Sequence, residues 1–204
     1  MSDNVRDTFT AAAEFFVEVV ARVPTERWDG PGLGVWSVRD LTGHASRALS
    51  TVREYLDAPG PPAQQLADAV EYFSAFSGGP DLSEAIAERG RQAGAALGED
   101  PAAAVAEEVR RAASSLAGHP DDRLVATRGG GMRLDAYLPT RTFELVVHTL
   151  DLAAATGVEA VPPTEALRAT LHLAADLAVR RGQGARVCLA LTGRGSWPEG
   201  LSVL

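Results

Sequence analysis

Four side chains able to do chemistry fall within one short stretch of the chain. Arg141, Glu144, His148 and Asp151 are spaced +3, +4 and +3, which stacks them on one face of a helix. The residues between them, from Phe143 to Ala155, are apolar nearly all round. Such a helix is mostly buried, so its polar stripe is either a narrow strip facing water or an inward-facing site. Glu144 and His148 lie ~6 Å apart along the axis, at ~1.5 Å rise per residue, close enough to share one metal ion. A catalytic zinc commonly takes three His, Glu or Asp ligands and keeps an open position for water or substrate. His44, on the apolar side of another helix at Leu41+3 and Ala48−4, is the candidate third ligand. Asp151 is placed to accept the proton of the free ring nitrogen of His148. Arg141 is placed to pair with a ligand carboxylate or to hold Glu144, with Arg47 a weaker candidate for the same work. The bland alternatives stay open: a Glu/His pair at i, i+4 is also a common weak surface pair, and a lone core histidine is more often hydrogen-bonded than metal-bound.

These groups need helices to converge them, and the chain supplies helices. A first runs over Asp7–Val23 and stops at Pro24. A second opens at Ser37, where Asp40 completes a capping box and Trp36 and Leu41 are placed as a hydrophobic staple; it ends at Pro59-Gly60-Pro61-Pro62. A short helical segment is expected over Ala63–Phe76 and long helices over Leu82–Leu97 and Asp100–Leu116, the latter with Asp100 as N-cap and Pro101 at the first position. Thr127–Leu134 reads as a turn with two short extended arms. The helix carrying the stripe holds Pro139 in its first turn and ends at Gly157. A last helix opens at Pro162-Pro163-Thr164. Val187–Leu191 then reads as a strand, Gly193–Gly200 as a turn and Leu201–Leu204 as a second strand. The expected architecture is all-α, a helical bundle over 1–183, with a short C-terminal β-hairpin over 184–204. That hairpin's edge would invite a homodimer.

Composition removes several classes of function. Hydrophobic residues at 46% and charged residues at 23% are ordinary for a globular chain, and the net charge of −8 argues against a general nucleic-acid binder. No apolar run approaches the ~18 residues of a membrane span, and the polar start of the chain is unlike a secretory signal, so a cytoplasmic protein is expected. All 19 basic residues are arginine, which excludes a Walker-A loop and a lysine Schiff base. The single cysteine, Cys188, excludes an internal disulfide and cysteine-rich metal sites, and is expected as a small buried hydrophobe. His119 and His172 are assigned no role.

Trp36-Ser37-Val38-Arg39-Asp40-Leu41-Thr42-Gly43-His44, followed about a hundred residues later by Arg141-Thr142-Phe143-Glu144-Leu145-Val146-Val147-His148-Thr149-Leu150-Asp151-Leu152, resembles the N-terminal domain of mycothiol-dependent maleylpyruvate isomerase, one of the DinB-like metal-binding bundles. The likeness covers about residues 5–183. It implies a four-helix bundle with long crossovers and a divalent metal, commonly Zn2+, held by His44, Glu144 and His148, with Asp151 at an acidic position beside the site. These are the residues that spacing selects. In that family an α/β domain follows the bundle and helps close the active site; Arg186–Leu204 resembles only its opening hairpin, with Leu191-Thr192-Gly193 like the end of its first strand.

The resemblance implies thiol chemistry, with mycothiol as the cosubstrate. A free thiol has a pKa of about 8.5, and coordination to zinc deprotonates it. The expected partners are thus a small-molecule thiol and an electrophilic substrate, in an isomerase-like or S-transferase-like reaction. The alternative is a non-catalytic metal-binding bundle that takes a small ligand or a partner protein.

Overall fold

The computed structural model describes residues 4–75, 80–197, 200 and 202–203. Helix α1 (Val5–Val20) starts at Asn4, whose side chain accepts a hydrogen bond from the Arg6 N–H. Helix α2 (Val38–Asp57) starts with both bonds of the capping box in place: the Asp40 N–H donates to the Ser37 hydroxyl, and the Ser37 N–H donates to the Asp40 carboxylate. Helices α3 (Ala69–Ser74), α4 (Pro80–Ala96) and α5 (Pro101–Ala117) follow, α5 capped by Asp100. Strands β1 (Leu124–Thr127) and β2 (Gly130–Arg133) form an antiparallel hairpin that pairs Leu124 with Arg133 and Thr127 with Gly130. Helix α6 (Leu134–Thr156) begins where β2 ends, and α7 (Thr164–Arg180) and α8 (Gly184–Leu191) complete the order.

Four helices close a ring: α1 packs on α5, α5 on α2, α2 on α6, and α6 back on α1. The long connection from α2 to α5 contains α3 and α4, and α4 lies along α2. Helix α7 covers α6 and α1. The core runs through Phe16, Leu41, Leu49, Leu138, Leu145 and Leu152, all out of contact with water. Removing apolar surface of this kind from water stabilises the fold by roughly 25 cal/mol per Å2. Helix α6 is the most enclosed element, and its buried threonines return their hydroxyls to their own helix, Thr149 to the Leu145 carbonyl at 2.6 Å and Thr156 to that of Leu152 at 2.7 Å. Gly157 ends it in the left-handed region at φ 75°. No helix among the described residues is long and apolar enough to cross a membrane.

The α2–α4 contact is unusually close because both helices present glycine. A Cβ on Gly43 would stand 2.1 Å from the backbone nitrogen of Gly94, and one on Gly94 would stand 2.9 Å from the Arg39 carbonyl oxygen. Arg39 also donates to the Gly98 carbonyl, so the two helices run antiparallel.

Several sequence expectations need correction. Val187–Leu191 is helix α8, not a strand. A five-residue apolar run does not by itself distinguish helix from strand. Here the segment lies on α7, with Gly184 close enough that a Cβ would meet Val179 at 2.7 Å. The hairpin of the fold is β1–β2, so the C-terminal edge expected to invite a homodimer is absent from the described residues. Leu201 and Leu204, half of the expected second strand, lie outside them. Cys188 is exposed on α8 rather than buried. Pro139 is the sixth residue of α6, inside the helix rather than in its first turn; it has no N–H to offer the Asp135 carbonyl. The expected segment Ala63–Phe76 is helical only over Ala69–Ser74, and Phe76 lies outside the described residues.

Gly43→Ala is expected to destabilise the protein by about 1–3 kcal/mol or more, because backbone has to move to admit the methyl group. Gly118→Ala, where the nearest atom is 3.6 Å away, is expected to be neutral or slightly stabilising. Urea titration of the two variants checks the contrast.

Candidate metal centre

Helices α2 and α6 bring His44, Glu144 and His148 to one point. The His148 Nε2 lies 3.1 Å from Glu144 Oε2 and the His44 Nε2 lies 3.8 Å from that oxygen. The three donor atoms all fall within 4.8 Å of one another. Tetrahedral donors ~2.0–2.1 Å from a zinc ion stand ~3.3–3.4 Å apart, so small side-chain movements bring this set to coordination distance. On its far side His148 Nδ1 lies 3.0 Å from Asp151 Oδ2, which commits that nitrogen as the donor and directs Nε2 at the cluster. The imidazole of His44 lies against Trp36, centroids 4.4 Å apart at 30°, and meets His148 edge-on at 4.8 Å. Its Nδ1 is buried without a hydrogen-bond partner among the described residues, so packing against Trp36 and the Glu144 side hold the ring.

Trp36 is itself fixed from α4. Its indole N–H donates to the Ala87 carbonyl at 3.0 Å, and a Cβ on Gly90 would stand 2.6 Å from that indole nitrogen. Gly90 therefore makes the space in which Trp36 sits, and Trp36 in turn backs His44.

The electrostatics of the cluster ask for a positive charge at its centre. Burial works against charge on His148, but hydrogen bonds to Asp151 and Glu144, and their charges, outweigh it and hold its pKa at about 9. Burial alone would raise Glu144; the His148 hydrogen bond and the charges of Arg141 and the two histidines lower it to about 2. Burial, followed by repulsion from His148, lowers His44 to about 4. The metal-free cluster is therefore a neutral imidazole, a carboxylate and an imidazolium whose Nε2 proton points at the carboxylate. A divalent cation bound between the three groups would supply that positive charge instead, and a His2Glu donor set suits it. His44, Glu144 and His148 can hold a metal ion.

The four residues of the sequence stripe do not all serve the same point. Asp151 does stand behind His148. Arg141 does not pair with Glu144: among the described residues its guanidinium bonds to the Thr140 hydroxyl at 2.9 Å and to the Tyr72 hydroxyl at 3.3 Å. It also stacks on the rings of Tyr72 and Tyr137, 5.3 and 5.0 Å from their centroids. Arg47 lines a groove between α2, α4 and α5 together with Glu107 and Glu108, and its charge contributes to lowering the pKa of His44. Sequence reasoning missed Trp36 as the support of His44, although its place before the N-cap was the available signal, and it missed the tyrosines that enclose Arg141.

The signs of these shifts give a pH test. His148, raised in the fold, contributes stability that is fully present below pH 6.5 and is lost as pH rises through about 9. Glu144, lowered in the fold, contributes stability present above pH 4.5 and lost as pH falls through about 2. A metal ion competes with the His148 proton. Zn2+ affinity, measured by chelator competition, is expected to rise about tenfold per pH unit between pH 6.5 and 9 as one proton is displaced. Over the same range this pair's contribution to the melting temperature of metal-free protein falls. A flat affinity profile would contradict the arrangement.

No curated protein and no solved structure matches the chain. The family model described as the mycothiol maleylpyruvate isomerase N-terminal domain matches residues 9–153, a span that includes His44, Glu144, His148 and Asp151, all of α2 and α5 and most of α1 and α6. The protein, a helical bundle of the DinB-like kind, belongs to the mycothiol maleylpyruvate isomerase N-terminal domain family.

Proposed function

We propose that the protein is a metal-dependent enzyme that activates a low-molecular-weight thiol and delivers it to an electrophilic substrate, in an isomerase-like or S-transferase reaction. The observation that carries this reading is the convergence of His44, Glu144 and His148 inside an apolar bundle, with Asp151 holding the second histidine in its ligating tautomer. Family membership supports mycothiol, or a thiol like it, as the cosubstrate. Zn2+ is the best match for a donor set of two imidazoles and one carboxylate.

His44, Glu144 and His148 would hold the ion. When bound, it would lower the pKa of a thiol from about 8.5 and keep the sulfur as a thiolate at neutral pH. The chain's own residues do the rest. Asp151 accepts the Nδ1 proton of His148 and so keeps the Nε2 lone pair available. Trp36 prevents the His44 ring from turning away. The apolar flanks of α6, with Leu145 and Leu152 fully buried, limit water at the site, and charges interact more strongly where water is excluded.

Three variants test the proposal. His44→Ala and His148→Ala are expected to lose bound metal in elemental analysis and to lose thiol-conjugate formation with a panel of electrophiles. Asp151→Asn is expected to retain the fold and weaken metal binding by about 10–100-fold, the usual effect of removing a partner of a ligating histidine. Unchanged metal content in the two histidine variants would overturn the ligand set. Metal that is bound and lost as expected, with no conjugate formed by the wild-type protein, would leave a metal-binding bundle without this chemistry.

A further inference from the structure

The C-terminal end of the chain differs from the rest in both polarity and charge. Nine large apolar side chains are exposed among the described residues, and five of them, Leu171, Val179, Leu189, Leu191 and Trp197, lie from α7 onward. Residues 177–197 also hold four arginines, Arg180, Arg181, Arg186 and Arg194, and no acidic residue, in a chain of net charge −8. All four arginines are exposed. Helix α8 sits among them and buries none of its residues.

These groups form one continuous surface. A Cβ on Gly184 would stand 2.7 Å from the Val179 side chain, so the end of the α7 stripe meets the start of α8. Past α8 the chain folds back on it. The Arg194 N–H donates to the Leu189 carbonyl at 2.8 Å, and a Cβ on Gly195 would stand 3.4 Å from the Leu189 side chain, which keeps Arg194 and Trp197 beside the same helix. At about 100° per residue, Ala185, Cys188, Leu189 and Leu191 fall on one side of α8 and are exposed, while Val187 and Ala190 on the other are half-buried. An apolar helix face turned to water gains nothing from the hydrophobic effect, and a helix this short is not stable by itself. Nor are the arginines all explained by their helices. Arg180 and Arg181 complement the C-terminal dipole of α7, but Arg186 stands in the first turn of α8, the end that favours negative charge. Leucine and tryptophan ringed by arginine is the composition that seats at the boundary of an anionic bilayer. A two-fold dimer through this face would set the four arginines against the same four of the partner, so charge argues against a second copy as its cover.

We propose that α8, together with Val179 at the end of α7 and the turn to Trp197, is the surface by which the protein lies on an anionic lipid bilayer. Leu189, Leu191 and Trp197 enter the headgroup layer, and the arginines pair with lipid phosphates, whose oxygens the guanidinium fork matches two at a time. The attachment is peripheral and reversible, resting on a few side chains and on charge that salt screens. The metal ligands lie on α2 and α6, so the surface does not depend on the reading under Proposed function.

Co-sedimentation of the full chain with vesicles tests this, using phosphatidylcholine alone and phosphatidylcholine with about one third phosphatidylglycerol, at low and high salt. Binding is expected to the anionic vesicles only and to be reversed by salt. Tryptophan emission should shift to shorter wavelength on binding, Trp197 being the exposed tryptophan among the described residues. The double variant Arg181→Gln/Arg186→Gln is expected to weaken binding by about 25-fold, roughly fivefold for each charge removed. Leu189→Ser/Leu191→Ser is expected to weaken it by at least about tenfold. Both pairs are exposed, so helical circular dichroism and metal content should stay as in the wild type. Failure to bind the anionic vesicles would leave the face to an acidic protein and overturn the proposal. So would equal binding to neutral vesicles, or variants that bind as the wild type does. A dimer seen by light scattering that Leu189→Ser/Leu191→Ser splits would assign the face to a second copy and overturn it equally.

Discussion

A carboxylate between two imidazoles, enclosed by apolar helices, has to share a positive charge. Everything near the site follows from that requirement. A buried ionised Glu144 is costly unless paired, and the fold offers it His148 on its own helix and His44 on the facing one. Without a metal, the pair is balanced by a proton that His148 keeps to about pH 9. With one, the ion takes the proton's place. Asp151 supports either state, because it accepts from the same Nδ1 in both.

The bundle is arranged to keep this charge cluster from relaxing outward. Helix α6 supplies two of the three groups and is packed on by α1, α2, α3 and α7, so its stripe has no freedom to rotate. The third group comes from α2, and its support comes from outside the ring. Gly90 admits Trp36, Trp36 covers His44, and the Gly43–Gly94 contact draws α4 close enough for both. Helix α4 thus acts on the site without contributing a ligand. Its small residues are part of the geometry that aims His44.

The fold and the convergence of His44, Glu144 and His148 were legible in the sequence for physical reasons that can be named. Ser37 and Asp40 announce the start of α2, which fixes the phase of that helix and turns His44 inward. The +4 spacing of Glu144 and His148 on an otherwise apolar helix puts both on one face. What was not legible depended on tertiary neighbours. Whether Arg141 turned to Glu144 or away was decided by Tyr72, which arrives from a separate short helix. Val187–Leu191 misled because a short apolar run fits either period, and its contact with α7 decides for helix.

The most direct test is X-ray absorption at the zinc edge on the metal-loaded protein. The account predicts nitrogen and oxygen scatterers at ~2.0–2.1 Å with the outer-shell signature of two imidazoles, falling to one in His44→Ala under metal excess. A sulfur scatterer at ~2.3 Å in thiol-free protein, which only Cys188 or a methionine would supply, or an imidazole count that does not change in that variant, would contradict it.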